Sequence, residues 1–407
     1  MFCVLLLLLG GVRGKTVEPA KKKLQIFVLA GQSNMVGHSY YITIPTLLTA
    51  KEPEVRELAN LVFKKDAKIS RAVIEDLIAT RMKRDELSKG LRKKEIEAAG
   101  LEAAQAEIKK LQAQVDDKMQ NIKDAFVVSK QVYITSTTDG NKGSGPLTVG
   151  YGGNRDKIGP EFGFGLSMAQ KLDAPILIIK TSWGGKSLNY NFRPPSAGPY
   201  KLNEKEQTAK NAADISKNAS LNWRMMNEAV HNVLKDLKTH HPAYDAKVGY
   251  DIAGFVWFQG FNDQFSDEFR NNYRDNMVHF VKDVRKEYKT PKMPFVIGVL
   301  GTNMSKEGVD KNAVSVAQRE AAAAQEFKGN VASVESYKVY DLEARKVYDS
   351  GWAKHFAEWC VVGSDRPYHY LGSGKFFVRL GDSFANAMIG LINNQANPGS
   401  GKITIDP

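Results

Sequence analysis

Apolar residues in this chain fall into short runs separated by longer amphipathic stretches. Leu24 to Leu29, mostly β-branched or apolar, predicts a buried strand. Gln131 to Thr135 predicts a further short strand. After residue 150, runs at Ile176 to Lys180, Ile252 to Phe258, Phe295 to Leu300 and Val331 to Glu335 alternate with helical patterns at 162–171, 221–238, 267–289 and 311–327. An amphipathic stretch from Gly374 to Ile392 closes the series. Strands separated by helices of this length imply an α/β fold with a mainly parallel sheet covered on both faces. In such a sheet the strand ends feed loops into one crevice.

Residues 51–126 break this rhythm. They are rich in Lys, Arg, Glu and Ala, and Leu101, Ile108, Val115 and Ile122 repeat every seven residues. Ala104, Leu111 and Ala125 fall near the second apolar position, while Lys118 interrupts the seam. The spacing predicts a helical hairpin or coiled-coil arm inserted into a domain formed by residues 24–50 and 127–395, with bends at Gly90 or Gly100. Such an arm packs on its own domain, self-associates or binds a partner. Residues 139–160 are dense in glycine and read as a long loop, as do the polar residues 190–220 with Tyr190, Phe192 and Tyr200.

The bulk numbers change this picture little. An apolar fraction of 43% and a charged fraction of 25% over 407 residues describe a globular protein with a sizeable core. The formal charge of +12 is spread along the chain, without a zinc-finger spacing or an aromatic RNA-binding motif, so nucleic acid is not the expected partner. Residues 1–14, with five leucines before Gly-Gly-Val-Arg-Gly, are too short for a bilayer anchor and fit a signal peptide cleaved after Gly14. The expected location is secreted or periplasmic, with no stable membrane anchor. Cleavage removes Cys3 and leaves Cys360 alone, so the mature chain has no internal disulfide to form.

The candidate chemistry begins where the first strand ends, in Ala30-Gly31-Gln32-Ser33-Asn34-Met35. A serine needs a base, and the base needs an orienting partner. Of seven histidines, His369 stands out in the proline-containing loop Ser364-Asp365-Arg366-Pro367-Tyr368-His369, where Asp365 can fold back onto the imidazole. Oxyanion donors are available from the Ser33 N–H, from the glycine amides of Thr181-Ser182-Trp183-Gly184-Gly185, and from the side chain of Gln259 or Asn262 in Phe258-Gln259-Gly260-Phe261-Asn262-Asp263. No compact His/Asp/Glu spacing calls for a metal, and no cofactor is implied.

The segments GQSNMVG (31–37), IGPEFGFG (158–165), IIKTSWGGKSL (178–188), WFQGFND (257–263) and SDRPYHYLGSGKFF (364–377) resemble the SGNH-hydrolase superfamily. Within it the likeness is to the sialate O-acetylesterase-like group, carbohydrate esterase family 6. The resemblance spans nearly the whole chain except the arm. It implies a three-layer α/β/α sandwich with a flavodoxin-like sheet. It also implies Ser33 as nucleophile, His369 and Asp365 as base and acid, and an oxyanion hole from Ser33, Gly185 and Gln259. Gln32, Asn34, Glu161, Trp183 and Asn262 are candidates for substrate contact or support. The implied reaction is release of acetate from an acetylated carbohydrate. Acetylesterase action on xylan-like or sulfated polymers, and a non-catalytic carbohydrate-binding or assembly role, are the alternatives. Two departures stand out. Phe261 occupies the position after WxQG where many relatives carry an acid, and three residues rather than two separate Asp365 from His369. Either the proline loop absorbs the extra residue, or a backbone carbonyl or another carboxylate, such as Glu161, orients the histidine.

Overall fold

A computed structural model describes residues 21–93, 95–97, 100–138 and 140–396. The predicted leader lies outside them. Among the described residues nine strands run in chain order: β1 (Leu24–Gly31), β2 (Ser39–Tyr40), β3 (Val132–Ser136), β4 (Gly143–Pro146), β5 (Lys157–Ile158), β6 (Ile176–Ser182), β7 (Tyr250–Phe258), β8 (Phe295–Val299) and β9 (Val331–Glu335). Seven form one sheet in the order β4-β3-β6-β1-β7-β8-β9, parallel throughout except for β4. The predicted α/β class and mainly parallel sheet are therefore what the chain forms. The edge strand β4 falls in the stretch whose glycine density predicts a loop. Its Gly-Ser-Gly-Pro sequence has little strand propensity, and pairing with β3 supplies the order; the proline stands at the sheet edge, where no further ladder bond is needed.

Alternate side chains of the central strands enter two cores. Ile26, Val28, Ala30, Phe255 and Trp257 face the helices Leu221–Lys235, Asp267–Glu287 and Ala313–Ala322. Phe27, Leu29, Val256 and Phe258 face Glu161–Lys171 and the closing helix Gly374–Ala396. Burial on both faces explains why these strands read as near-continuous apolar runs. The pattern predicted for 311–327 ends earlier, at Ala322, and a short 3-10 turn follows at Gln325–Phe327. Likewise the 221–238 pattern breaks at Asp236.

Within residues 51–126, the helix Pro53–Val62 belongs to the body, where Val55, Ala59 and Val62 join the core. An isolated bridge between Phe63 and Phe126, with Lys64 N–H to Ala125 O and Val127 N–H to Val62 O both at 2.9 Å, pins the two ends of the excursion together. Beyond that stem, Arg71–Arg92 and Leu101–Asp124 form a helical hairpin. Gly90 lies inside the first helix and Gly100 directly precedes the second, so Gly90 is not a bend. Leu111, Val115 and Ile122 of the repeat bury against the chain itself, together with Ile74, Leu77 and Ile78. Lys118 leaves the seam by reaching Asp76 and Thr80 on the facing helix.

Candidate active site

Sheet register brings three loops together. Gly31 at the end of β1 pairs with Ser182 of β6 on one side and Phe258 of β7 on the other. The serine turn, the Trp183–Gly185 loop and the Gln259–Asp263 loop thus leave the sheet at one level, where strand order passes from one side of β1 to the other. That switch point is where open α/β sheets bind ligands. A Cβ at Gly31 would stand 2.1 Å from the Phe258 carbonyl oxygen, so the close approach of β1 to β7 demands glycine.

Ser33 is half-buried and begins the short helix Ser33–Val36, in which Met35 and Val36 donate their N–H groups to the Gln32 carbonyl while those of Ser33 and Asn34 have no backbone acceptor among the described residues. Gln32, fully buried, ties this turn to the β7 loop. Its Oε1 accepts from the N–H of Gly260 at 3.1 Å and of Asn262 at 3.3 Å. Those backbone donors fix the orientation of the Gln32 amide, so its Nε2 donates to Asn262 Oδ1 at 3.0 Å. Asn262 in turn has its oxygen engaged and is left with an amide nitrogen that makes no hydrogen bond among the described residues. Asn34 is buried, and its Oδ1 has no partner there.

Gln259 is the opposite case and corrects the expectation that it supplies an oxyanion donor. Its Nε2 donates to the Lys186 carbonyl at 2.9 Å and to the Asp263 carboxylate at 2.5 Å, and its oxygen accepts from the Tyr273 hydroxyl at 3.0 Å. Both amide protons are used, so Gln259 is a fully bonded support. Asp263, fully buried, also accepts from the N–H groups of Leu188 and Asn189 at 2.9–3.0 Å. Burial pushes its carboxyl up to about 6 against the pull of these donors. It pins the loop after β6 to the loop after β7.

Gly184 and Gly185 are exposed, and neither amide has a backbone acceptor among the described residues. Gly185 has φ +68°, a conformation that favours glycine, with open space where a side chain would begin. Trp183, buried against Phe192, donates its backbone N–H to the Gly31 carbonyl at 3.2 Å and so carries these glycines beside the serine turn.

Asp365 and His369 meet. The carboxylate oxygen lies 2.9 Å from His369 Nδ1, so the loop accommodates the extra residue between them. Burial favours the neutral acid, but the His369 hydrogen bond and the nearby charges of His369, His38 and Lys157 hold the Asp365 carboxyl below its usual range. Glu161 is elsewhere: fully buried, it pairs with Lys180 at 2.7 Å and accepts from the Gly159 N–H at 2.9 Å. Lys180 also donates to the carbonyls of Val36 and Tyr151 at 2.8 Å, anchoring the end of the serine helix to β6. Glu161 therefore supports the turn and does not orient His369.

His38 is a neighbour of His369 that no sequence pattern singles out. Its ring stacks on His369 with centroids 4.2 Å apart and planes 24° apart. Burial first, then the charges of His369 and Lys157, lower its pKa to about 4, so it is neutral beside His369 at neutral pH. No spacing in the sequence links residues 38 and 369. The histidine loop is held by Ser364, whose hydroxyl accepts from the Tyr40 N–H at 3.0 Å and donates to the Gly372 carbonyl at 2.8 Å. Tyr370 stacks between Phe258 and Phe376 and hydrogen-bonds Gly301 N–H and Ser336. His369, Tyr370 and Leu371 all have φ between +52° and +61°. Non-glycine residues in that region cost about 1–2 kcal/mol each, strain that the surrounding packing must hold.

The Ser33 hydroxyl makes no hydrogen bond to His369 in this structure. The serine turn and the Asp365–His369 pair come to one side through His38 and Tyr40, which follow Ser33 by a single turn, and through Tyr370 against Phe258, the β7 partner of Gly31. Ligand atoms of His38, Asp365 and His369 lie within 4.8 Å of one another. The imidazoles are nearly parallel, however, so their in-plane lone pairs do not converge on one ion, and Asp365 is engaged with His369.

A serine turn, a glycine loop and an Asp–His pair thus gather at a sheet switch point, and the comparisons with known proteins give the family. The family described as carbohydrate esterase, sialic acid-specific acetylesterase, matches residues 142–346, half of the chain, and the chain belongs to it. That span contains Gly185, Gln259, Asn262 and Asp263, whereas Ser33, Asp365 and His369 lie outside it. No curated protein matches the chain. Similar solved structures include a protein from Arabidopsis thaliana, 15% identical, covering 89% of this chain and 97% of its own with a TM-score of 0.43. A carbohydrate acetylesterase from Xanthomonas citri, XAC1771, is 11% identical over 89% of this chain and 55% of its own, with a TM-score of 0.41. NanS is 10% identical over 78% of each chain, with a TM-score of 0.36.

Proposed function

We propose that the protein is a serine esterase that removes O-acetyl groups from carbohydrates, with sialic acid as the first substrate class to test. The observation that carries this reading is the Asp365–His369 contact, whose imidazole stacks on His38, five residues after the strand-end serine. In the proposed cycle His369 takes the Ser33 proton and the hydroxyl oxygen attacks the ester carbonyl. The developing negative charge is met by the N–H groups of Ser33 and Gly185 and by the free amide of Asn262. His369 then returns the proton to the sugar oxygen as the tetrahedral intermediate collapses. The acyl-enzyme is hydrolysed by a water that His369 activates. Asp365 keeps Nδ1 protonated and Nε2 facing the serine.

Family membership supports the substrate class, and the free amides at Asn262 and Gly185 support acyl chemistry over a purely binding role. Acetate release from O-acetylated sialic acid and from acetylated xylan oligosaccharides tests the reading. The parent should release acetate from at least one of them, and Ser33→Ala should lower turnover by at least about 10⁴-fold with unchanged melting. Equal release by parent and variant would remove Ser33 from the mechanism. Export is part of the same proposal, and a mature protein beginning at Lys15 in the secreted or periplasmic fraction is the expected result.

A further inference from the structure

The two most exposed large aromatic side chains among the described residues stand together at the edge of this site. Phe265 is 69% exposed and Tyr368 is 54% exposed. They come from different loops, one after β7 and one immediately before His369, and meet through Phe261. The Phe261 ring lies 5.2 Å from that of Phe265 at 77° and 6.0 Å from that of Tyr368 at 83°. The Tyr368 ring is 6.2 Å from the His369 imidazole. Water-facing aromatic surface of this kind contributes nothing to a core, and its place beside reactive groups marks it for a ligand.

We propose that Phe261, Phe265 and Tyr368 form a stacking wall for the sugar ring that carries the ester. The inference rests on the esterase reading above and deepens it. In that mechanism His369 hands its proton to the leaving oxygen, so the alcohol half of the ester lies on the histidine side, where Tyr368 stands. The acetyl group is too small to span three rings. A pyranose is large enough, and it presents an apolar C–H face that lies on an aromatic ring while its hydroxyls stay in water. None of the three rings carries a charge, so the wall recognises ring shape, and Phe261 directly precedes the free amide of Asn262. The same loop therefore donates to the ester and borders the sugar.

The test compares Phe265→Ala and Tyr368→Ala with the parent on acetylated pyranosides (O-acetyl N-acetylneuraminic acid and acetylated xylobiose) and on ethyl acetate, which has no sugar. Each variant should lower the ratio of kcat/KM for the sugar ester to that for ethyl acetate by about fivefold, mainly through KM. An unchanged ratio overturns the wall. So does an equal loss on both substrates through kcat, which would make the rings mere supports of the histidine loop. If the parent hydrolyses none of these esters, the esterase reading fails on its own account. Saturation-transfer NMR with free N-acetylneuraminic acid and xylobiose then decides the wall separately. A sugar signal that is present with the parent and vanishes with Phe265→Ala upholds the wall, and the absence of any signal with the parent overturns it. Circular dichroism melting of each variant reports whether the exposed substitutions leave the fold in place.

Discussion

Two halves of the candidate site are built by different means. The serine turn, the Gly184–Gly185 loop and the Asn262 loop all leave neighbouring parallel strands at one register level, and Gln32, Asp263 and Lys180 lace them together from below. The loop that carries Asp365 and His369 leaves no strand. It spans the gap between the helix Phe356–Val362 and the closing helix, with three consecutive left-handed residues, and is held by the Ser364 hydroxyl and the Tyr370 ring. The sheet-borne half is fixed by many backbone bonds. The histidine loop closes on itself through the Ser364 and Asp365 N–H groups, both donated to the Leu371 carbonyl, and side chains such as Ser364 and Tyr370 tie it to its surroundings, so it is where single substitutions should loosen geometry without unfolding the protein.

The sharpest break in this comparison is at Asp365. Asp365→Asn keeps the shape but offers the wrong partner to His369 Nδ1, and should lower kcat by about 10²–10⁴-fold with little change in melting. On the sheet-borne half, Asn262→Ala and Gln259→Ala should separate cleanly. Asn262→Ala removes the free amide and should cost about 10²–10³-fold in kcat at near-normal stability. Gln259→Ala strips a buried carboxylate and a carbonyl of their donor and should cost about 1–3 kcal/mol of stability, seen in urea melts, with any loss of activity following from the loosened loop. If Gln259→Ala instead loses turnover at full stability, the assignment of these two amides is reversed.

The smallest expected effect concerns pH. His38 has its pKa lowered to about 4, so the unfolded chain takes up a proton there before the folded one does. Its contribution to stability is full above pH 6.5 and is lost as pH falls through that window towards 4. Asp263, raised to about 6, runs the other way: its ionisation weakens the fold as pH rises from its unfolded value towards 6. His38→Asn should therefore show less loss of stability than the parent between pH 6.5 and 4, in thermal melts across that range. An identical acid limb in both proteins would mean that His38 is not held neutral by the fold.

The elements of this protein were largely legible because they rest on local patterns. The apolar runs at 24, 176, 252, 295 and 331 are strands, and the long amphipathic stretches are helices. Boundaries slipped where tertiary contacts outvote propensity, as at β4, whose Gly-Ser-Gly-Pro is ordered only by its neighbour. The candidate site was legible only as motifs, in which Ser33, Gly185, Asp365 and His369 stand out by residue type and loop position. What the motifs left open was which amide is free. Gln259 and Asn262 are three residues apart on one loop, and only the partners around them distinguish them: Lys186 and Asp263 take both protons of one, while Gln32 orients the other.

The sequence by itself determined a mainly parallel α/β sheet, a helical hairpin or coiled-coil arm after its first strand, and a serine at that strand's carboxyl end, because periodicity and turn chemistry are properties of neighbouring residues. Only the tertiary structure decided that Asp365 rather than Glu161 meets His369, that His38 stacks on that ring, and that three aromatics from two loops share one rim. These are contacts across as many as 331 residues (His38 to His369), and they depend on strand register and on how loops pack, which no local pattern records.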